Sequence, residues 1–145
     1  MGYEAATWRP GVERRPLEEV LADPGFAVYL EGWPREGDAG VVAEDETGRP
    51  LGAAWYRRFS EDAHGYGFID ASIPELSIGV EADARGRGIG MALMEALIER
   101  ARTAGVPALS LSVEEDNPAL RLYERLGFVR VARNGNAWTM RLELP

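Results

Sequence analysis

The stretch Glu75-Leu-Ser-Ile-Gly-Val-Glu-Ala-Asp-Ala-Arg-Gly-Arg-Gly-Ile-Gly90 decides the fold. It reads as a short apolar strand, a polar turn and a glycine-rich loop. The loop runs directly into an amphipathic helix that starts at about Gly88 and continues through Met91-Ala-Leu-Met-Glu-Ala-Leu-Ile-Glu-Arg100. A glycine loop that opens a helix leaves several backbone N–H groups free and pointing one way, and the helix dipole adds partial positive charge there. Such a place binds anions, and phosphate is the usual occupant. Arg85 and Arg87 can add charge-assisted hydrogen bonds.

Two common phosphate loops fail on spacing. In the dinucleotide pattern G-x-G-x-x-G, Gly86 and Gly88 fit, but the last glycine falls on Met91. The nucleotide P-loop needs Lys-Ser or Lys-Thr after a glycine, and none occurs. What fits is R-x-x-G-x-G, at Arg85, Gly88 and Gly90.

About thirty residues on, Ala108-Leu-Ser-Leu-Ser-Val113 alternates as a strand and Glu114–Asn117 forms a turn. Pro118 to Leu126 then reads as a short helix, with Asn117 as N-cap, Pro118 at the first helical position and Gly127 as the stop. Phe128 to Val131 begins another strand. The two patterns, R-x-x-G-x-G and N-P-A-x-x-x-Y-x-x-x-G-F, occur in this order over residues 75–131, and together they resemble the GNAT superfamily of N-acetyltransferases.

That resemblance implies an α/β (α+β) fold: a mixed, mostly antiparallel sheet flanked by helices, with a V-shaped splay between strands 73–80 and 108–113 that admits pantetheine. It implies acetyl-CoA as cosubstrate and transfer of its acetyl group to a primary amine. It places the cofactor on Ile78, Val80, Arg85, Gly86, Arg87, Gly88, Ile89, Gly90, Met91 and Asn117. It also implies that Tyr123 faces the CoA sulfur and that Glu75, at the start of its strand, takes a proton, commonly through water.

The chemistry explains why a base is wanted. An amine with a pKa near about 10.4 is only roughly one part in 10³ neutral at pH 7, and only the neutral form attacks a thioester. Asp70, Glu31 and His64, on loops bordering the expected acceptor site, are rivals to Glu75. A phenol near pKa ~10 donating fully to a thiolate near ~8.5 goes uphill by about 2 kcal/mol, so Tyr123 is better read as a hydrogen-bond donor. The attacked carbonyl needs a donor as well. Gly79 would let the strand bulge and free an N–H near Val80. Trp55 and Tyr56 point to opposite faces, one into the core and the other toward the acceptor. Trp33 is a candidate lid. On the long helix, Ile89, Leu93, Ala96, Leu97 and Ala101 form the expected buried stripe.

Bulk properties narrow the alternatives. The 145 residues suit a single domain spanning 1–145, and 46% apolar content suits an ordinary core. The chain has no cysteine and one histidine, His64, so no metal is expected. A net charge of −8 argues against nucleic acid. No apolar run approaches the roughly 18 residues of a membrane span, and a cytoplasmic location is the default expectation. The start of the chain matches the end of the family's first helix, so the family's first strand is expected to be missing. An uncovered sheet edge would favour a homodimer. A small-molecule or peptide amine is the expected acceptor. The alternative is a non-catalytic acyl-CoA-binding or regulatory module.

Overall fold

The computed structural model describes Tyr29 and residues 33–144. Expectations for the missing first strand, for a helix at residues 16–22 and for Glu31 lie outside the described residues. Six strands form one sheet: β1 (Ala39–Glu44), β2 (Pro50–Arg57), β3 (Glu75–Val80), β4 (Ala108–Glu114), β5 (Val129–Asn134) and β6 (Ala137–Glu143). Their spatial order is β1-β2-β3-β4-β6-β5. Every neighbouring pair is antiparallel except β3 and β4, which are parallel. Two helices follow the expected signals, α1 (Ile89–Thr103) and α2 (Ala119–Leu126). Among the described residues no helix is long and apolar enough to cross a membrane.

Turn chemistry sets the local structure. At the β1–β2 hairpin, Asp45 Oδ1 accepts the backbone N–H groups of Thr47 and Arg49, and Gly48 takes the left-handed conformation at φ 85°. Both helices end in the same way. Past α1, Val106 N–H donates to the Ala101 carbonyl and Gly105 N–H to that of Arg102; past α2, Phe128 and Gly127 N–H groups do the same with Tyr123 and Glu124. Each pair is a Schellman motif closed on a left-handed glycine.

The core lies between the sheet and both helices. Ala54, Tyr56 and Leu76 of the central strands meet Leu93, Met94, Leu97, Ile98 and Ala101 of α1, and Tyr123 and Phe128 join from the α2 side. The buried stripe of α1 differs from the expected one: Ala96 is exposed and Ile89 only half-buried, while Met94 and Ile98 are buried. At about 100° per residue, Ala96 lies roughly 130° from the centre of the 93/94/97/98/101 stripe, so it faces water.

Every residue of β2 from Gly52 to Arg57 is buried, because both faces of the sheet are covered there. Tyr56 points to α1. Trp55 and Arg57 point the other way, under the segment around Tyr29 and Trp33. Trp55 Nε1–H donates to the Tyr29 carbonyl at 3.2 Å. The Arg57 side chain is fully buried, pairs with Asp38 through Nη2–Oδ2 and Nε–Oδ1, and carries the Trp33 ring 5.4 Å from its guanidinium carbon. This ion pair fixes the loop before β1 onto the sheet.

Candidate active site

β3 and β4 pair at one point, Glu75 with Ser110, and Ser110 N–H donates to the Pro74 carbonyl at 3.0 Å. Beyond that point they separate, which is the expected splay. On β3 the even-numbered residues turn their backbone groups to the β4 side, so those of Ile78 and Val80 line the gap. The Val80 carbonyl takes Arg85 Nε–H at 3.1 Å, which leaves the Val80 N–H toward the gap. Gly79 makes no bulge. The β2–β3 register is unbroken from Gly52–Val80 to Arg57–Glu75, so the parting of β3 from β4 is what frees the expected donor.

The glycine loop lies at the end of β3. Gly86 and Gly88 have φ of 81° and 78°, and a Cβ built on either would meet no atom within 4 Å. The space in front of these two residues is therefore open. The first intrahelical bond of α1 runs from Ala92 N–H to the Gly88 carbonyl. The N–H groups of Ile89, Gly90 and Met91 consequently have no acceptor within the helix. No acidic residue sits in the first turn to neutralise them. These residues fit a pyrophosphate. Arg85 and Arg87 first brace the loop, Arg85 through Val80 and Arg87 by donating to the Asp83 carbonyl at 3.2 Å. Arg49 Nη2 donates to both carboxylate oxygens of Asp83, at 3.0 Å each, and ties the same turn to the β1–β2 hairpin.

Asn117 caps α2 as expected: its Oδ1 accepts the Ala119 N–H at 2.9 Å, and Pro118 already has helical dihedrals. Tyr123 is buried with its ring edge-on to Phe128, 6.0 Å between centroids. Burial pushes its phenol above the ordinary tyrosine value, so it keeps its proton.

Glu75 is 1% exposed rather than an open strand-end carboxylate. Its Oε2 accepts the Tyr29 hydroxyl and, at 3.0 Å, the Gly67 N–H. The Tyr29 oxygen in turn accepts the Tyr66 N–H at 2.9 Å. Oε1 is buried with no partner among the described residues, and the same holds for Ser110 Oγ on the paired position of β4. Desolvation raises the Glu75 carboxyl to about 7, partly countered by the hydrogen bonds from Tyr29 and Gly67 and by His64. A carboxylate poised there can exchange protons near neutral pH.

The rivals have other partners. Asp70 Oδ1 is held by the Ser72 N–H and hydroxyl at 2.8 Å each, contacts that lower its pKa, and it is exposed. His64 Nδ1–H donates to the Gly65 carbonyl at 2.8 Å, and its ring stacks on Phe68. Tyr29, Gly65, Gly67 and Ser110 were not singled out from the sequence. A methyl at Gly65 would fall 2.3 Å from the Tyr29 hydroxyl oxygen and 2.6 Å from Glu75 Oε1. One at Gly67 would fall 2.5 Å from the Leu111 carbonyl carbon. The loop therefore needs bare backbone to pass between Glu75 and β4. Glycines so close to an acidic strand start were the available signal.

A splayed mixed sheet with a free helix N-terminus at the mouth of the splay is the architecture that the resemblance implied. The chain belongs to the acetyltransferase (GNAT) family, whose family model matches residues 6–128. It is 38% identical over 101 residues to the L-methionine sulfoximine/L-methionine sulfone acetyltransferase of Pseudomonas paraeruginosa, covering 69% of this chain and 56% of that protein. The chain spans about half the length of the curated relatives it matches. Among solved structures it is similar to the ribosomal-protein-alanine N-acetyltransferase of Brucella melitensis (28% identity, TM-score 0.68, covering 98% of this chain and 89% of that one). It is also similar to the GNAT superfamily phosphinothricin acetyltransferase of Sinorhizobium meliloti in complex with acetyl-CoA (27% identity, TM-score 0.61, covering 74% and 62%).

Proposed function

We propose that the chain transfers the acetyl group of acetyl-CoA to the primary amine of a small-molecule acceptor, by direct attack in a ternary complex. The β3–β4 splay with Glu75 and Ser110 at its apex carries this assignment. It supplies a gap edged by unpaired strand backbone, an anion-binding loop at one end and a proton acceptor at the other. Relatives that acetylate methionine sulfoximine favour a small amine over a protein N-terminus.

The pyrophosphate of acetyl-CoA would lie on the loop from Gly86 to Met91, and its pantetheine arm would follow Ile78 and Val80 into the gap. The acyl thioester supplies an activated carbonyl. Glu75 takes a proton from the acceptor ammonium through a water held between Oε1 and Ser110 Oγ; two polar partners are enough to hold a buried water. The neutral amine attacks the carbonyl, a C–N bond forms, and the C–S bond breaks as the second amine proton passes to the departing sulfur, which leaves as the CoA thiol. The Ile78 and Val80 N–H groups that face the gap are the donors β3 offers to the developing oxyanion. Tyr123 hydrogen-bonds the departing thiolate. Its raised pKa makes full transfer costlier than for a free phenol, so donation without transfer is its role.

One observation favours the alternative, a module that binds acyl-CoA without turnover: Glu75 is sealed from solvent. Thiol release from acetyl-CoA with L-methionine sulfoximine and a panel of small amines separates the two. Release above the rate of buffer hydrolysis supports transfer. Tight acetyl-CoA binding with no release across the panel supports the module.

A further inference from the structure

Tyr29 lies 46 residues before Glu75 in the chain and meets it on the face of the sheet that Trp55 and Arg57 also occupy. Three contacts fix the tyrosine. Its carbonyl accepts the Trp55 indole N–H, its ring stands edge-on to Phe59 with centroids 5.7 Å apart, and its hydroxyl accepts the Tyr66 N–H. An oxygen that already accepts from a backbone amide has its own proton directed elsewhere, and here that proton goes to Glu75 Oε2. The Gly67 N–H comes to the same oxygen. Both donors therefore load Oε2, and Oε1, on the same carboxylate, is left without a partner among the described residues.

We infer that Tyr29 is a positioning residue for the Glu75 base: its hydroxyl, held by the Tyr66 amide, locks Oε2 and so reserves Oε1 for the proton that leaves the acceptor amine. This rests on the role given to Glu75 above. The arrangement joins the acceptor-side loop to the base. Gly65 packs against the Tyr29 hydroxyl and Glu75 together, so a displacement of that loop is felt at the carboxylate. The groups facing Glu75 are Tyr29 from the N-terminal segment, the Gly67 amide and His64 from the loop, Ser110 from β4 and, opposite it on β2, Arg57, which is paired with Asp38.

The test is a titration that does not depend on the acceptor. Protein carrying ¹³C-carboxyl glutamate is followed by NMR, and the Glu75 signal is the one lost in Glu75→Gln. In the intact protein its midpoint is expected at about 7. Tyr29→Phe removes a donor to the charged form and is expected to raise that midpoint by about one pH unit, a tenfold change in affinity for the proton. The acid limb of kcat/KM for acetylation of an amine probe should move by the same amount. If Tyr29→Phe does not fold, 3-fluorotyrosine at position 29 keeps the shape and strengthens the donor, and the midpoint should fall. A midpoint that stays put in both, or one that moves while the acid limb does not, overturns the proposal. Full activity in Glu75→Gln with moving midpoints would instead remove the base role of Glu75 and leave the Tyr29 coupling standing.

Discussion

Glu75 and Ser110 face each other at the one point where β3 and β4 pair, and each carries a buried oxygen without a partner among the described residues. Unsatisfied buried oxygens are costly, by about 1–3 kcal/mol each. Two on paired residues at the apex of the splay point to chemistry more than to packing. Ser110→Ala removes one of them without breaking any hydrogen bond seen here. Thermal stability should hold or rise, while kcat for acetyl transfer falls by about tenfold through loss of the proposed water bridge. Unchanged kcat would remove Ser110 from the proton path.

The raised Glu75 pKa links the site to stability. A carboxyl whose folded value lies above its unfolded one binds more protons folded than unfolded. Its contribution is complete below about 4.5 and is lost as pH rises through about 7. The size of that loss is about 3 kcal/mol. Denaturation of the protein and of Glu75→Gln at pH 4.5 and pH 8 should show the variant gaining on the parent at the higher pH. A pH-independent difference would mean that Glu75 titrates normally.

Asp38 and Arg57 form a buried ion pair whose side chains are 2% and 0% exposed. Burial alone would raise the Asp38 pKa, but hydrogen bonds from Arg57 and the Arg35 amide bring it below the usual carboxylate range. Asp38→Ala should cost about 3–5 kcal/mol in urea denaturation, because a buried guanidinium loses its carboxylate. A loss under about 1 kcal/mol, as for an exposed pair, would show that the loop before β1 is not anchored there.

Gly88 holds φ 78° with open space beyond its Cα. Gly88→Ala therefore meets no clash, but the left-handed backbone costs about 1–2 kcal/mol. Relaxing it would turn the amides of α1 off their common focus. Calorimetry should show acetyl-CoA affinity down by about tenfold, with the melting temperature lowered only by the few degrees that this strain accounts for. Undiminished affinity would place the pyrophosphate elsewhere.

How much of this was legible depends on range along the chain. The loop at Gly86–Gly90, the Asn117 cap, the Gly127 stop and the Asp45–Gly48 turn are written in neighbouring residues, and each formed where the sequence put it. So did the splay, which came with the family resemblance. The tilt of α1 on the sheet was not legible, which is why Ala96 changed places with Met94 and Ile98. Nor was the burial of Glu75. It depends on Tyr29 and on Gly65 and Gly67, whose approach to the carboxylate is a tertiary event with no local period. The free donor near Val80 was expected for the wrong reason: it comes from the parting of two strands, which no single glycine encodes.

The role of Glu75 is read most directly by comparing the intact protein with Glu75→Gln at pH 8, measuring thiol release from acetyl-CoA with an accepted amine and, in parallel, acetyl-CoA affinity by calorimetry. The expected result is a fall in kcat of about 10²–10⁴ with affinity unchanged. A variant that releases thiol at the parent rate would contradict the assignment of Glu75 as the proton acceptor, and the proton path built on it would have to be abandoned.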